Sequence, residues 1–198
     1  GEMRSLADTI FAAQDAGSLR SEHFVHLRCE VSAPDVLEHF RLFEGDARVK
    51  LASLMDHAPG QRQFQTLEQY TLYYKTKRGL TDDEFARFCA MRIEESAVNA
   101  VPHRQAIAAY CGAHGIALAS HDDATLAHVS EAVEQGVRVA EFPTTIAAAR
   151  ASHQAGLKVL MGGPNIVRGG SHSGNIAAAD LAKFGILDVI SSDYVPLS

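Results

Sequence analysis

The sequence predicts an α/β fold in which parallel strands alternate with helices. Short apolar runs alternate with longer stretches of helical periodicity along most of the chain. At four places a glycine stands between a predicted helix and the next strand, where the left-handed backbone that ends a helix suits a residue without a Cβ. These glycines are Gly115, Gly136, Gly156 and Gly185. Repeats of strand, helix and strand favour parallel strands joined by right-handed crossovers.

Six strands and six helical stretches account for most of the chain. The predicted strands are Phe24–Val31, Val49–Met55, Ile116–Ser120, Val137–Glu141, Leu157–Met161 and Leu187–Ser192. The predicted helices are Met3–Ala16, Pro34–Leu42, a long region from about Phe64 to Gly112, Thr125–Gln135, Thr145–Ala155 and Ile176–Phe184. Within the long region, LTDDEFARF is typical of a helix start, with Thr81 as N-cap and Glu84 completing a capping box.

The composition is that of one globular domain over residues 1–198, with 46% hydrophobic and 21% charged residues. Acidic residues outnumber basic ones by 24 to 18 and the basic residues are scattered, so nucleic acid is not expected as a partner. No apolar run is long enough to predict a membrane span. The cysteines, Cys29, Cys89 and Cys111, form no CxxC motif, which predicts a reducing, cytoplasmic location.

Ionisable side chains follow several of the predicted strands. Because the carboxyl ends of parallel strands meet on one side of a sheet, these side chains are expected to lie close together. A lone histidine after a strand is usually structural, but four candidates on four strands favour a metal site. They are Glu30, His57, His121 and Asp193. Imidazole nitrogens with carboxylate oxygens suit Zn²⁺ or Mn²⁺, and an open coordination position would activate water near neutral pH.

The neighbouring polar residues allow structural interpretations. Asp122 and Asp123 are interpreted as caps of the helix that begins at Thr125. Strand alternation places His26, Arg28 and Glu30 on one face, which indicates a polar barrel interior, and places Cys29 in the apolar core.

A glycine-rich segment, PNIVRGGSHSGN at 164–175, is a second candidate site. Glycines let backbone N–H groups approach an anion, and an arginine offers a bidentate fork, so a phosphate site is one interpretation and an ordinary loop the other. The segment matches neither GxxxxGKS nor GxGxxG. The candidate phosphate contacts are Asn165, Arg168, Ser171, His172 and, from GQRQF, Arg62, which could equally cover a helix surface.

Six segments in this order resemble the phosphonate-utilisation, PhnM-type members of the amidohydrolase superfamily. They are HLRCEVS, SLMDHAPGQRQF, ASHDDAT, AEFPTT, MGGPNIVRGGSHSGN and SSDYVP, and the resemblance covers essentially the whole chain. It implies a metal-dependent (β/α)₈ TIM barrel. It also implies hydrolysis of α-D-ribose 1-methylphosphonate 5-triphosphate to release pyrophosphate, in the carbon–phosphorus lyase pathway.

The resemblance also implies roles for particular residues. Glu30 would bridge metals, His57 and His121 would be ligands, and Asp193 would be both a ligand and the general base. The His-x-His pair that opens the family pattern has no counterpart in this sequence. We therefore expect about six strands of a partial barrel, with partial metal occupancy, no turnover by this chain alone, and self-association through open sheet edges.

Two other functions remain open at this stage. One is hydrolysis of a C–N bond by a cyclic amidohydrolase or deaminase. The anion-binding character of the glycine-rich segment favours a phosphorylated substrate over this alternative. The other is a non-catalytic half-barrel that binds a partner or a phosphorylated ligand, which the missing His-x-His pair favours.

Overall fold

The computed structural model describes residues 1–62, 70–71, 80–170 and 175–193. Six strands and seven helices lie in this part of the chain. The strands are β1 (Val25–Glu30), β2 (Val49–Met55), β3 (Ala117–His121), β4 (Val139–Glu141), β5 (Lys158–Gly162) and β6 (Val189–Ser191). The helices are α1 (Glu2–Asp15), α2 (Val36–Arg41), α3 (Asp82–His114), α4 (Leu126–Glu134), α5 (Ile146–Gln154), α6 (Gly163–Arg168) and α7 (Ala178–Lys183).

The six strands form one sheet in chain order, and every neighbouring pair is parallel. The sheet curls into a half-barrel with flanking helices, which confirms the predicted fold class of a partial TIM barrel. Each predicted strand overlaps an observed one. The fourth is shorter than predicted, since Val137 and Arg138 belong to the connection from α4 and not to the strand.

An apolar core lies between the outer face of the sheet and the helices. Strand alternation sends Cys29 into this core, as predicted, while His26 and Arg28 face the other side of β1. Buried side chains of several strands and of α3 form the core around Cys29. Its members include Val31, Leu54, Ile107, Cys111, Leu118 and Ala140.

The long helix α3 begins where the sequence predicts. Thr81 Oγ1 accepts from the backbone N–H of Glu84, and the Glu84 carboxylate accepts from the N–H of Thr81, so the capping box is confirmed. The helix runs for 33 residues and ends at Gly115 in the left-handed conformation, with φ +67°. Most of the predicted helical stretch before Thr81 lies outside the described residues. No described helix combines the length and the apolar character needed to cross a membrane.

The segment after β5 differs from the prediction. Residues 164–175 are predicted as a loop, whereas Gly163–Arg168 forms α6 directly at the end of the strand. Pro164 sits in the first turn, where its missing N–H and fixed φ favour a helix. Gly169 ends the helix in the left-handed conformation, at φ +78°. The next helix, α7, is shorter than the predicted Ile176–Phe184.

Two strands stand at the edges of the sheet. Within the described residues β1 pairs only with β2, and β6 only with β5. Beside β1 lies a groove of about 420 Å³, lined largely by apolar side chains of α1, α2 and β1. Met3, Leu6 and Phe24 line it and are more than half exposed. An unpaired edge beside an apolar groove is a surface on which a further strand or chain can pack.

Candidate metal centre

The polar side of the half-barrel gathers residues from the carboxyl ends of four strands. Glu30 ends β1, His57 follows β2, His121 ends β3 and Glu141 ends β4. Directly after β3, Asp122 adopts a left-handed backbone at φ +57°, a conformation that aspartate tolerates better than most residues. Its N–H donates to the carbonyl of Glu141 at 2.9 Å, which ties the turn after β3 to the neighbouring strand.

Three side chains converge as possible metal ligands. His57, His121 and Asp122 each offer one ligand atom, and these atoms all lie within 4.8 Å of one another. Asp122 Oδ2 is 3.5 Å from His57 Nε2 and 3.6 Å from His121 Nε2. His121 and Asp122 are each only 4% exposed.

The Asp122 carboxylate indicates a missing partner. Its Oδ2 is fully buried and has no hydrogen-bond partner among the described residues. The two imidazole nitrogens, 3.5 and 3.6 Å away, lie within ion-pair distance but beyond the length of a short charge-assisted hydrogen bond. Burial of a carboxylate oxygen that receives no hydrogen bond is costly. A divalent cation among these three atoms would remove that cost, so the donor set fits a metal ion.

Each histidine ring has a carboxylate behind it. Glu30 Oε2 lies 2.6 Å from His57 Nδ1, and Glu141 Oε2 lies 3.1 Å from His121 Nδ1. In both rings the other nitrogen, Nε2, faces Asp122. Metal-ligating histidines characteristically donate their second N–H to a carboxylate in this way, which fixes the ring and its tautomer.

The electrostatics of the group follow from these contacts. Burial by itself lowers the pKa of His57, but the carboxylates of Asp122 and Glu30 outweigh it and raise that pKa to about 9. Burial raises the pKa of Glu30 and Glu141, but hydrogen bonds from histidine and serine more than offset it, so both pKa values are lowered. Both carboxylates are therefore ionised at neutral pH and act as acceptors.

Glu30, predicted as a bridging ligand, lies at the site but contacts it through His57. Its Oε1 accepts from the backbone N–H of His57 at 2.9 Å and from Ser32 Oγ at 2.7 Å. Arg92 Nη2 lies 3.6 Å from the same oxygen. The carboxylate is thus held on the Nδ1 side of the ring, opposite the Nε2 atom that faces Asp122.

Asp193 stands at the same mouth but outside the group of three. Its Oδ1 is 4.0 Å from Arg28 Nη1, and Arg28 Nη2 is in turn 3.5 Å from His121 Nε2. Arg28 therefore lies between Asp193 and the histidine. Gly162 makes room for Asp193, because a Cβ at that position would come within 3.3 Å of Asp193 Oδ2.

Asp122 is the residue that the sequence analysis missed. It is interpreted there as a helix cap, but the cap of α4 is Thr125, whose side chain accepts from the N–H of His128. The signal that could have identified it is the sequence SHDD, in which a carboxylate directly follows a candidate ligand histidine at a strand end. Glu141 was likewise recognised only as the end of a strand.

Arg62 belongs to a buried network of ion pairs. Its guanidinium is buried and bonds the carboxylates of Asp123 and Glu131. Asp123 also accepts from Ser120 Oγ, so this network joins the connection after β2 to the turn after β3. Arg62 is predicted either as a phosphate contact or as cover for a helix surface, and in the structure its guanidinium donates to these two carboxylates.

The other phosphate candidates are only partly described. Asn165 Oδ1 accepts from the N–H of Ala178 at 2.8 Å, and Arg168 is exposed at the end of α6. The N–H groups of Gly169 and Gly170 donate to the carbonyls of Ile166 and Asn165, so these two amides close the helix and do not face an anion as expected. Ser171 and His172 lie outside the described residues.

A cavity of about 350 Å³ adjoins the site. Glu30 and His57 form one wall, and the first half of α3 forms another. Arg92 of α3 also lines this cavity, and its guanidinium donates to Ser32 Oγ and to the Glu95 carboxylate. The cavity gives a small molecule access to the His57 side of the group.

The fold and the site define a class: a parallel α/β half-barrel with a candidate divalent-metal centre of two histidines and an aspartate at its strand ends. No family model and no solved structure matches the chain significantly. It is 50% identical over 196 residues to the alpha-D-ribose 1-methylphosphonate 5-triphosphate diphosphatase of Escherichia coli strain K12. This confirms the resemblance drawn from the motifs. The alignment covers 99% of the chain and 52% of that enzyme, so the chain spans about half the length of the curated relative it matches.

Removal of Arg62 should destabilise the fold. In Arg62→Ala the buried Asp123 loses its ion-pair partner, and such a loss typically costs about 3–5 kcal/mol of unfolding free energy. Urea denaturation measures it. A double variant, Arg62→Met with Asp123→Leu, should recover most of the loss because no buried charge is left alone.

The matched control is Lys158→Ala, which removes an exposed cation 3.0 Å from Asp188 and should cost less than about 1 kcal/mol. A loss of that small size for Arg62→Ala would contradict the structural role of Arg62.

Proposed function

We propose that this chain supplies the metal-binding part of an enzyme that hydrolyses a phosphoanhydride bond and releases pyrophosphate from α-D-ribose 1-methylphosphonate 5-triphosphate. The observation that carries the proposal is the buried, unpartnered Asp122 Oδ2, which faces the Nε2 atoms of His57 and His121. The name of the E. coli relative supports the substrate and the reaction.

His57, His121 and Asp122 would hold the metal. Two imidazole nitrogens and a carboxylate oxygen suit Zn²⁺, with Mn²⁺ the alternative. When bound, the ion supplies Lewis acidity and activates water for attack on phosphorus. Glu30 and Glu141 hold the two rings. To serve as the metal ligand that the resemblance implies, the Glu30 carboxylate would have to turn away from His57 Nδ1.

Asp193 and Arg28 would act on the water and the substrate. Asp193 stands at the mouth, partly exposed, where its carboxylate can accept a proton from the attacking water. Arg28 lies between Asp193 and His121, and a guanidinium there can bond phosphate oxygens. We retain Arg168, Ser171 and His172 as further phosphate contacts, since α6, which ends at Arg168, begins directly after β5 at this same end of the sheet.

We also propose a cytoplasmic location. The three cysteines are free and buried, and each thiol pKa is raised by burial, to about 12 for Cys29 and about 11 for Cys111. Such thiols are unreactive at neutral pH and serve as core residues. Nothing in their placement calls for an oxidising compartment.

Zinc binding tests the ligand set directly. Loss of the hydrogen-bond partner of a metal ligand typically weakens metal affinity by about 10–100-fold. Loss of a ligand atom should weaken Zn²⁺ affinity more than that, and we expect this for three variants: His57→Ala, His121→Ala and Asp122→Asn. Competition with a chromophoric chelator measures the affinity. His153→Ala, a half-exposed histidine at the end of α5, is the control and should bind as the wild type does. Wild-type affinity in Asp122→Asn would contradict the assignment.

Pyrophosphate release tests the reaction. A chimera in which this chain replaces the matching region of the E. coli relative should release pyrophosphate from the triphosphate substrate when loaded with Zn²⁺ or Mn²⁺. Asp193→Asn in the chimera should slow the reaction by about 10²–10⁴-fold, the usual loss for a general base. The chain alone should show no turnover. Hydrolysis of a cyclic amide in place of the triphosphate would favour the C–N alternative and overturn the proposal.

Self-association should follow from the open edge of the sheet. We propose that a second copy covers the groove beside β1, because the edge N–H and C=O groups and the exposed apolar side chains of α1 lie together there. Multi-angle light scattering should give a mass above that of one chain, and Leu6→Glu should reduce it. Leu126→Glu, equally exposed but outside the groove, is the control and should leave it unchanged. A wild-type monomer would contradict the proposal.

A further inference from the structure

His121 is joined to a buried polar chain inside the half-barrel. The parallel register places His121 of β3 beside Glu141 of β4, and Glu141 Oε2 is 3.1 Å from His121 Nδ1. The same oxygen accepts from Ser53 Oγ of β2 at 2.7 Å. His121, Glu141 and Ser53 are all less than 5% exposed. Three neighbouring strands thus each contribute one member.

The contacts of the ring define where its proton lies. An ionised carboxylate only accepts hydrogen bonds, so the nitrogen that faces Glu141 must carry the hydrogen. On the other side of the ring, Nε2 has an Arg28 N–H at 3.5 Å and the Asp122 carboxylate at 3.6 Å, both more distant than Glu141 is from Nδ1. The shorter contact, from Nδ1 to Glu141, favours the tautomer protonated at Nδ1. In that tautomer the lone pair of Nε2 faces Asp122 and His57.

We propose that Glu141 is a positioning residue that holds His121 in the Nδ1–H tautomer and aims Nε2 at the metal. This inference rests on the proposed function, in which His121 is a ligand. Ser53 completes the arrangement by bonding the same carboxylate oxygen, and His26 lies 3.5 Å from its other oxygen. Glu141 would act through His121 rather than as a ligand, since the ring lies between the Glu141 carboxylate and Asp122.

Glu141 differs from Glu30 in what surrounds it. Glu30 is partly exposed and borders the cavity next to α3, where it can also reach a ligand. Glu141 is 3% exposed and both of its oxygens face side chains of the half-barrel interior. Its contacts, to His121, Ser53 and His26, all lie inside the half-barrel, so it acts on the proposed site through His121.

Zinc affinity is the first test. Glu141→Leu removes the acceptor and should raise the Kd for Zn²⁺ by about 10–100-fold, the usual effect of losing the partner of a ligand histidine. Glu141→Gln keeps an acceptor oxygen but loses the charge, so its Kd should lie between wild type and Glu141→Leu. Glu94→Gln alters an exposed carboxylate of α3 and should leave the Kd unchanged. If Glu141→Leu does not fold, a wild-type Kd in Glu141→Gln overturns the proposal.

The second test reads the tautomer without metal. Ring ¹⁵N chemical shifts of His121, assigned by their loss in His121→Gln, should report Nδ1–H in the wild-type chain and a mixture of tautomers in Glu141→Leu. A merely structural role would not move this signal. An Nε2–H tautomer in the wild type, or one unchanged in Glu141→Leu, overturns the proposal. A wild-type chain that binds no Zn²⁺ would instead overturn the proposed function, while the tautomer would still decide the role of Glu141.

Discussion

Parallel pairing of the strands in chain order is the constraint on which the candidate site depends. Because all six strands run the same way, the ends that carry His57, His121 and Glu141 reach the same side of the sheet. The register then decides which side chains are neighbours, and it pairs His121 with Glu141. A slip of one residue along β4 would turn Glu141 to the outer face, because side chains alternate along a strand.

Two successive aspartates show how the same turn serves both stability and the site. Asp123 is neutralised by the buried guanidinium of Arg62 and bonded by Ser120, which fixes the turn after β3. Asp122, with a left-handed backbone, instead presents an unpartnered oxygen to the two histidines. One aspartate thus has its hydrogen bonds within the fold, and its neighbour has a buried oxygen without one. Buried polar atoms are ordinarily hydrogen-bonded, so this exception supports the proposal that a ligand binds here.

Different observations support the metal ligands and the phosphate contacts. The metal ligands are supported by geometry, since three donor atoms converge and a carboxylate holds each ring. The proposed phosphate contacts are supported by the name of the E. coli relative and by the guanidinium of Arg28 at the mouth. Within the described residues Arg28 contacts His121, whereas the guanidinium of Arg62 pairs with carboxylates of the fold. A fold of this kind hosts many reactions, so the chemistry must be argued from the site.

The sequence by itself determined the parallel α/β class, the order of the strands, the capping box at Thr81 and the gathering of His57, His121 and Glu30 at one end of the sheet. These features follow from local patterns: periodicity, turn glycines and the polarity of each strand end. The tertiary structure alone decided the partners of those side chains. Glu30 contacts the site through His57, and Arg62 pairs with Asp123. Asp122, expected to cap a helix, lies beside the two histidines instead. Such partners depend on register and on backbone turns across strands far apart in the chain, which no local pattern encodes.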